Sequence, residues 1–390
     1  MVDFTLSEEQ EMLQQMARDF AASEIQTNAE EWDRESSFPR GAIRKAHDLG
    51  LLTVKIPEEF GGFGMGSFEE VLICEEFGWG DPGFATACGS TMLASYPVIT
   101  GGTHDQKQRY LSKVADGCIA SYCVTEPGAG SDVQSITTQA TRDGDDYVIN
   151  GSKMWITNGT QADWACVLAN TSEGKVHQNK SLIVVPLDTK GVDRKTKLDK
   201  LGMRSSDTAM IFFDNVRVPR RNLIGVEGMG FMYQMMQFQE ERLYGAASSI
   251  DGLTNIINET IDYTRQRQAF GGSILDNQVV HFRLAELKTE VEALRALIYD
   301  TTERYVGGKE KMEDLAMLAS MCKLKVGRLG REVTDSCLQF WGGQGFMWDN
   351  NVARAYRDTR LVSIGGGADE IMLGIIAKCM GILPLSLIHI

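Results

Sequence analysis

The chain of 390 residues is poor in the residues that build metal centres and covalent frameworks. Its five histidines, His47, His104, His177, His281 and His389, include no pair at metal-binding spacing. Its eight cysteines, Cys74, Cys88, Cys118, Cys123, Cys166, Cys322, Cys337 and Cys379, form no C-x-x-C pair, which argues against both a zinc site and a disulfide scaffold. Scattered thiols of this kind read as buried and reduced, so a cytoplasmic protein is expected. No apolar run reaches the roughly 20 residues of a membrane span. No basic stretch followed by an apolar one marks a signal or transit peptide. Excess positive charge is missing too. A formal net charge of -14 argues against nucleic acid or an anionic membrane surface as partner.

What is present is ordinary for a globular protein, with 43% hydrophobic and 24% charged residues. The length exceeds what one core serves, so two or three domains are expected. The first third reads as helical. Cap-like residues from Thr5 to Gln10 precede a run with apolar side chains at Met12, Met16, Phe20 and Ala21. A glycine-rich loop covers Pro57 to Gly64. Helical patterns follow at Phe68–Phe77, Phe84–Ile99 and His104–Val114. Near residue 120 the pattern changes. Thr137–Arg142 and Tyr147–Asn150, joined by Asp-Gly-Asp-Asp, read as a hairpin. Trp164–Ala169, Ser181–Leu187 and Ala209–Pro219 are β-branched or aromatic runs. The helical period then returns at Phe231–Arg267, Leu275–Val306, Lys311–Gly342 and Glu370–Met380. The expected division is a helical domain over 1–117, a β domain over 118–226 and a helical bundle over 227–390. The apolar segment from Leu383 to Ile390 is oddly patterned and takes no function.

Two segments carry the strongest chemical signal. Tyr122-Cys123-Val124-Thr125-Glu126-Pro127-Gly128-Ala129-Gly130-Ser131-Asp132 packs a proline and two glycines into a tight turn with exposed backbone N–H groups, which suits an anionic or electron-rich ligand. Alone it equally describes an ordinary loop entering a strand. Asn150-Gly151-Ser152-Lys153-Met154-Trp155-Ile156-Thr157-Asn158-Gly159 offers a flat indole and a hydroxyl, as a planar redox ring needs, though a strand with one core tryptophan has the same composition.

Together these segments resemble the flavin-binding sequences of the acyl-CoA dehydrogenase family, Y-C-V-T-E-P-G-A-G-S-D and W-I-T-N-G. The likeness continues through Leu201–Thr208, Val218-Pro219, Arg267-Gln268-Ala269-Phe270-Gly271 and Gln339–Gly345. It implies an N-terminal helical domain, a middle β-barrel domain and a C-terminal four-helix bundle, in the order that the patterns gave. It implies FAD as cofactor. Tyr122, Val124, Thr125, Gly130, Ser131, Trp155, Ile156 and Thr157 would hold the ring and ribityl chain. Arg267, Phe270, Gln278, Gln339, Gly342 and Gly343 would hold the pyrophosphate and adenine, partly across a subunit boundary in a homotetramer. Arg267 read alone is a charge closing a helix, and Gln278 a helix cap. The resemblance further implies an acyl-CoA substrate, for which an acidic chain needs a local basic patch, and an electron-transferring flavoprotein as acceptor near Trp155. No metal is implied.

The reaction implied, loss of two hydrogens across the α and β carbons, needs a carboxylate base in a site that excludes water. Many members place it in Y-E-G-T near the C-terminus. Here the segment is Ile364-Gly365-Gly366-Gly367-Ala368-Asp369-Glu370, and the glutamate position is Gly366. An isovaleryl- and long-chain-like branch places the glutamate before Arg-Leu on a bundle helix. Gln239-Glu240-Glu241-Arg242-Leu243 matches it, which makes Glu241 the expected base. Gly245, one turn on, would leave room for substrate. The plain reading of Glu241 is a solvated helix charge. Arg242 would place the CoA end or serve a structural ion pair. The Gly366 N–H would bind the thioester carbonyl, with Gly365 widening the pocket and Ser131 near the substrate. Ala368 replaces a usual threonine, and Glu370 reads as a cofactor neighbour or as a helix-start carboxylate. Met92, Ser95 and Tyr96 fall on the helix that lines the acyl pocket in the family, for a branched or medium-to-long chain. An acyl-CoA oxidase, a relative acting on a non-CoA substrate, and a flavin carrier without turnover are the rival readings.

Overall fold

The structure, a computed structural model, describes residues 5–383. Six helices come first. Helix α1 (Glu8–Phe20) starts at a capping box in which the Ser7 hydroxyl accepts from Gln10 N and the Gln10 side chain accepts from Ser7 N. Its inward face is Leu13, Ala17 and Phe20. The expected stripe through Met12 and Met16 is corrected, since Met12 is 72% exposed and Met16 also faces outward. Positions 13, 17 and 20 make a tighter 3.6-residue stripe than 12 and 16, which lie one step round the helix. The helix runs on through a π segment, Ala21–Gln26. Then follow α2 (Ala29–Glu35), α3 (Arg40–Asp48), α4 (Ser67–Gly80), α5 (Pro82–Gly101) and α6 (His104–Ala115). Asp81 caps α5 by accepting from Phe84 N at 2.6 Å, and Pro82 sits where a missing N–H costs nothing.

Eight strands form one sheet: β1 (Ala120–Cys123), β2 (Gln139–Asp143), β3 (Asp146–Thr157), β4 (Trp164–Asn170), β5 (Lys180–Pro186), β6 (Val192–Asp193), β7 (Thr208–Pro219) and β8 (Leu223–Ile224). The path is β6-β7-β3-β2-β4-β5-β8, with β1 pairing in parallel with β4. Strand β4 is buried throughout, and β5 nearly so, because the sheet has a core on each face. Ile149, Val167, Ile183, Ile211 and Val216 fill one side. On the other, Cys166, Leu168, Leu182 and Val184 pack against Met92 and Val98 of α5 and Leu111 of α6. Each such side chain contributes roughly 1.5–3 kcal/mol of burial.

The C-terminal part holds α7 (Gly230–Gln266), a two-stranded ribbon of β9 (Gln268–Ala269) and β10 (Gly272–Ser273), α8 (Gln278–Gly307), α9 (Met312–Trp341), α10 (Asn351–Thr359) and α11 (Asp369–Cys379). Its core joins Leu243, Ile250 and Ile257 of α7 to Leu284 and Val291 of α8 and to Val326 and Val333 of α9. Phe68 and Leu72 of α4 belong to the same core, so the first helices and the bundle are packed as one. Six cysteines are buried, whereas Cys118 is half-buried and Cys379 exposed, against the expectation of burial throughout. No helix among the described residues is long and apolar enough to cross a membrane. Of the segment Leu383–Ile390, residues 384–390 lie outside the described residues.

Candidate active site

The flavin-like segments meet where β1 and β3 converge. Met154 N donates to Thr125 O at 2.9 Å. The Thr157 carbonyl accepts from Ser121 Oγ at 3.0 Å and from Ser90 Oγ of α5 at 3.4 Å. These bonds engage the backbones and leave the Thr125, Ser131 and Thr157 hydroxyls with no protein partner among the described residues. Val124 and Ile156 are buried beneath, and Gly130 and Ser131 lie exposed on the turn.

One side chain of β3 turns in and another turns out. Lys153 is wholly buried, donating to Val124 O and to Glu126 Oε1, both at 2.9 Å. Burial pushes the Glu126 carboxyl up, but Lys153 and bonds from Thr138 and Thr137 outweigh it and hold it down at about 2. Burial pushes the Lys153 ammonium down although Glu126 opposes that. The pair fixes the turn from below. Between Lys153 and Ile156 the register slips, and Trp155 takes φ 55° with 55% exposure. An outward indole edged by free hydroxyls fits a flat heterocycle with a polar rim, so the residues present suit FAD.

Glu241 lies half-buried on α7, facing the Gly365–Gly367 turn that precedes α11. A Cβ built on Gly366 would lie 3.5 Å from Glu241 Oε1 and 3.9 Å from Lys323 Cε. Gly366 and Gly367 have φ +64° and +100°, a left-handed backbone that glycine adopts without strain. Burial raises the Glu241 pKa, while Arg242, Lys323 and the Gln237 amide oppose the rise. Lys323, buried on α9, donates to Gly367 O, and burial pushes it down to about 8. A Cβ at Gly245 would meet nothing within 4 Å, so the wall one turn beyond Glu241 is open.

Glu240 points elsewhere. It is 8% exposed, pairs with Lys55 and accepts from Ser67 Oγ at 3.0 Å. Arg242 is 5% exposed, donates to Gln239 Oε1 at 3.2 Å and Ser320 Oγ at 3.5 Å, and keeps its Nε without a partner among the described residues. Met92 borders a small hollow with Val54, Cys88, Gly89 and Tyr244. Ser95 turns its hydroxyl back to Thr91 O at 2.8 Å, and Tyr96 meets the Tyr305 hydroxyl at 3.1 Å. Ala368 precedes α11 with no side-chain cap, and Glu370 is exposed in its first turn.

The second group of expected cofactor residues is not brought to this place. Arg267, Phe270, Gln278, Gln339, Gly342 and Gly343 are all exposed, around the β9–β10 ribbon, the start of α8 and the end of α9. Phe270 is fully exposed at φ 53°. Among the described residues they share no hydrogen bond with the Thr125–Thr157 group. Sequence reasoning missed Lys323, the Glu126–Lys153 pair and the buried amides Gln234 and Gln237. The last two had a signal, since they fall three and four positions apart on the helix face that leads to Glu241.

A helix–sheet–helix chain with an outward aromatic platform on the sheet and a carboxylate of raised pKa on a bundle helix fits a flavin enzyme of carbon acids. Three family models match in the same order: acyl-CoA dehydrogenase N-terminal domain over residues 7–118, middle domain over 121–216 and C-terminal domain over 228–381. A probable acyl-CoA dehydrogenase of Bacillus subtilis is 34% identical, over 97% of this chain and 99% of that one. The mitochondrial long-chain specific acyl-CoA dehydrogenase of Rattus norvegicus is 36% identical, over 95% and 86%. The structure of butyryl-CoA dehydrogenase from Megasphaera elsdenii superposes with a TM-score of 0.93 at 29% identity, covering 97% of this chain and 100% of that one. The chain belongs to the acyl-CoA dehydrogenase family. It is an oxidoreductase of that flavin-dependent family, and acyl-CoA is what it dehydrogenates.

Proposed function

We propose that Glu241 removes the α proton of an acyl-CoA thioester bound between α7 and the Gly365–Gly367 turn. The observation that carries this reading is the Glu241 carboxylate facing Gly366 across a 3.5 Å Cβ position. Burial raises its pKa, which makes the carboxylate a stronger base than one in solvent. The Gly366 N–H holds the thioester carbonyl and acidifies the α carbon. Gly365 and Gly245 leave the gap clear, and Arg242 and Ser131 border it. When bound, FAD supplies the acceptor for the hydride of the β carbon. Thr125, Ser131, Trp155 and Thr157 hold its ring end. Arg267, Phe270, Gln278, Gln339 and Gly343 hold its adenine end, partly from a neighbouring subunit of a homotetramer, a reading that their exposure supports.

The likeness to a long-chain specific relative supports a branched or medium-to-long acyl chain, with Met92 near its far end. Electrons leave to an electron-transferring flavoprotein at Trp155. The test is anaerobic flavin bleaching across straight and branched esters from butyryl-CoA to palmitoyl-CoA. Fast bleaching by one class is expected, with little oxygen uptake in air. No bleaching by any ester defeats the reading, and rapid oxygen uptake makes the enzyme an oxidase.

A further inference from the structure

Gln234, Gln237 and Glu241 share one face of α7, three and four residues apart. Both glutamines are wholly buried, where an unbonded amide is costly. Apolar side chains would fill the same space without that cost, so the amides are present for what they bond. Gln234 Oε1 accepts from the Tyr122 hydroxyl of β1 at 2.7 Å. Gln234 Nε2 donates to Gln237 Oε1 at 3.1 Å. In this arrangement the Gln237 amide lies with its oxygen towards Gln234 and its NH2 group beyond. That Nε2 meets no acceptor in hydrogen-bond geometry among the described residues, and the carboxylate one turn along the same face is Glu241, whose pKa the Gln237 amide helps to hold down.

We propose that Gln237 is a positioning residue for Glu241, its amide anchored to the sheet through Gln234 and Tyr122 and its NH2 group aimed at the carboxylate. The inference rests on the reading of Glu241 as the base. A donor aimed at the ionised carboxylate favours that form and selects one rotamer of the glutamate. The other groups facing Glu241 are Arg242 on the same helix, Lys323 from α9 and the Tyr122 phenol itself from β1. Arg242 and Lys323 stay in every variant below, so their effect is constant.

The test is the pH dependence of anaerobic flavin reduction in the holoenzyme, using the ester that bleaches wild type fastest. Loss of a donor to the ionised form raises the base's pKa, so the acid limb moves to higher pH. Gln237→Met should move it up by about one unit and lower the maximal rate about ten-fold. Tyr122→Phe should move it the same way by less. Combining Tyr122→Phe with Gln234→Met should add nothing to Gln234→Met alone, because both cut one relay. An unmoved acid limb in Gln237→Met overturns the proposal, whatever its rate. If that variant does not fold, Tyr122→Phe, which deletes a single oxygen, decides by the same criterion. Glu241→Gln separates the two readings. Wild-type reduction in that variant defeats the base itself, whereas an inactive one beside an unmoved Gln237→Met profile defeats only the relay.

Discussion

Gly366 and Glu241 face one another so closely that a methyl group on the glycine would touch the carboxylate, its Cβ position lying 3.5 Å from Glu241 Oε1. The backbone at 366 is left-handed as well, which costs a side chain roughly 1–2 kcal/mol. Gly366→Ala is therefore expected to fold with a slightly lower melting temperature. Its bleaching rate should fall ten-fold or more, since a ~1 Å misplacement of a bound substrate costs about 100-fold. A normal rate would mean that the thioester lies elsewhere.

Adjacent glutamates on α7 should separate cleanly. Glu241→Gln removes the base and should slow flavin reduction by about 10²–10⁴-fold. Burial disfavours the ionised carboxylate in the fold, so at neutral pH this variant should melt no lower than wild type. Glu240→Gln should keep its chemistry and lose less stability than a severed buried pair would, because Lys55 keeps Glu70 as its partner. Stopped-flow bleaching and thermal melts of both variants check this.

Lys323 ties Gly367 O to α9. In Lys323→Met the turn loses its donor and Glu241 loses a nearby cation. Bleaching should slow by about ten-fold, with bound flavin retained. A variant that binds flavin and reacts at the wild-type rate would reduce Lys323 to a packing role.

The Glu126–Lys153 pair sets an acid limit on the sheet. Glu126 is held at about 2 in the fold, below the ordinary carboxylate value of 4.5. Its contribution is therefore present above about pH 4.5 and is lost as pH falls towards 2. Glu126→Gln should melt lower at neutral pH, lose flavin on gel filtration, and show a flatter decline in that acid window. Melting curves from pH 2 to 7 with flavin content at each point measure it.

The long helices and the β domain were legible because their periods are strong. Phe84–Ile99 and Ala209–Pro219 fall inside α5 and β7 with few residues missing. Strands β1, β6 and β8 were not, since two to four residues carry no period. Met12 and Met16 misled because hydrophobicity alone does not fix helix phase, and Leu13, Ala17 and Phe20 took the inward stripe. The turn at 122–132 and the base candidate Glu241 were visible as motifs. Lys323 was not, because a lysine mid-helix reads as solvated, and only the fold shows it buried against a carbonyl from a distant turn.

The slipped register in β3 has a consequence for how this strand can change. Lys153 and Trp155 are two apart and in a regular strand would share a side, yet one is wholly enclosed and the other lies open. The irregularity between them is what reverses the alternation. Removing the extra residue would restore regular pleating with Lys153 and the indole still on opposite sides, but would take away the left-handed bend on which the indole now stands. The extra residue therefore sets the angle of the platform, while the buried anchor below it is held by the regular pairing on the Lys153 side.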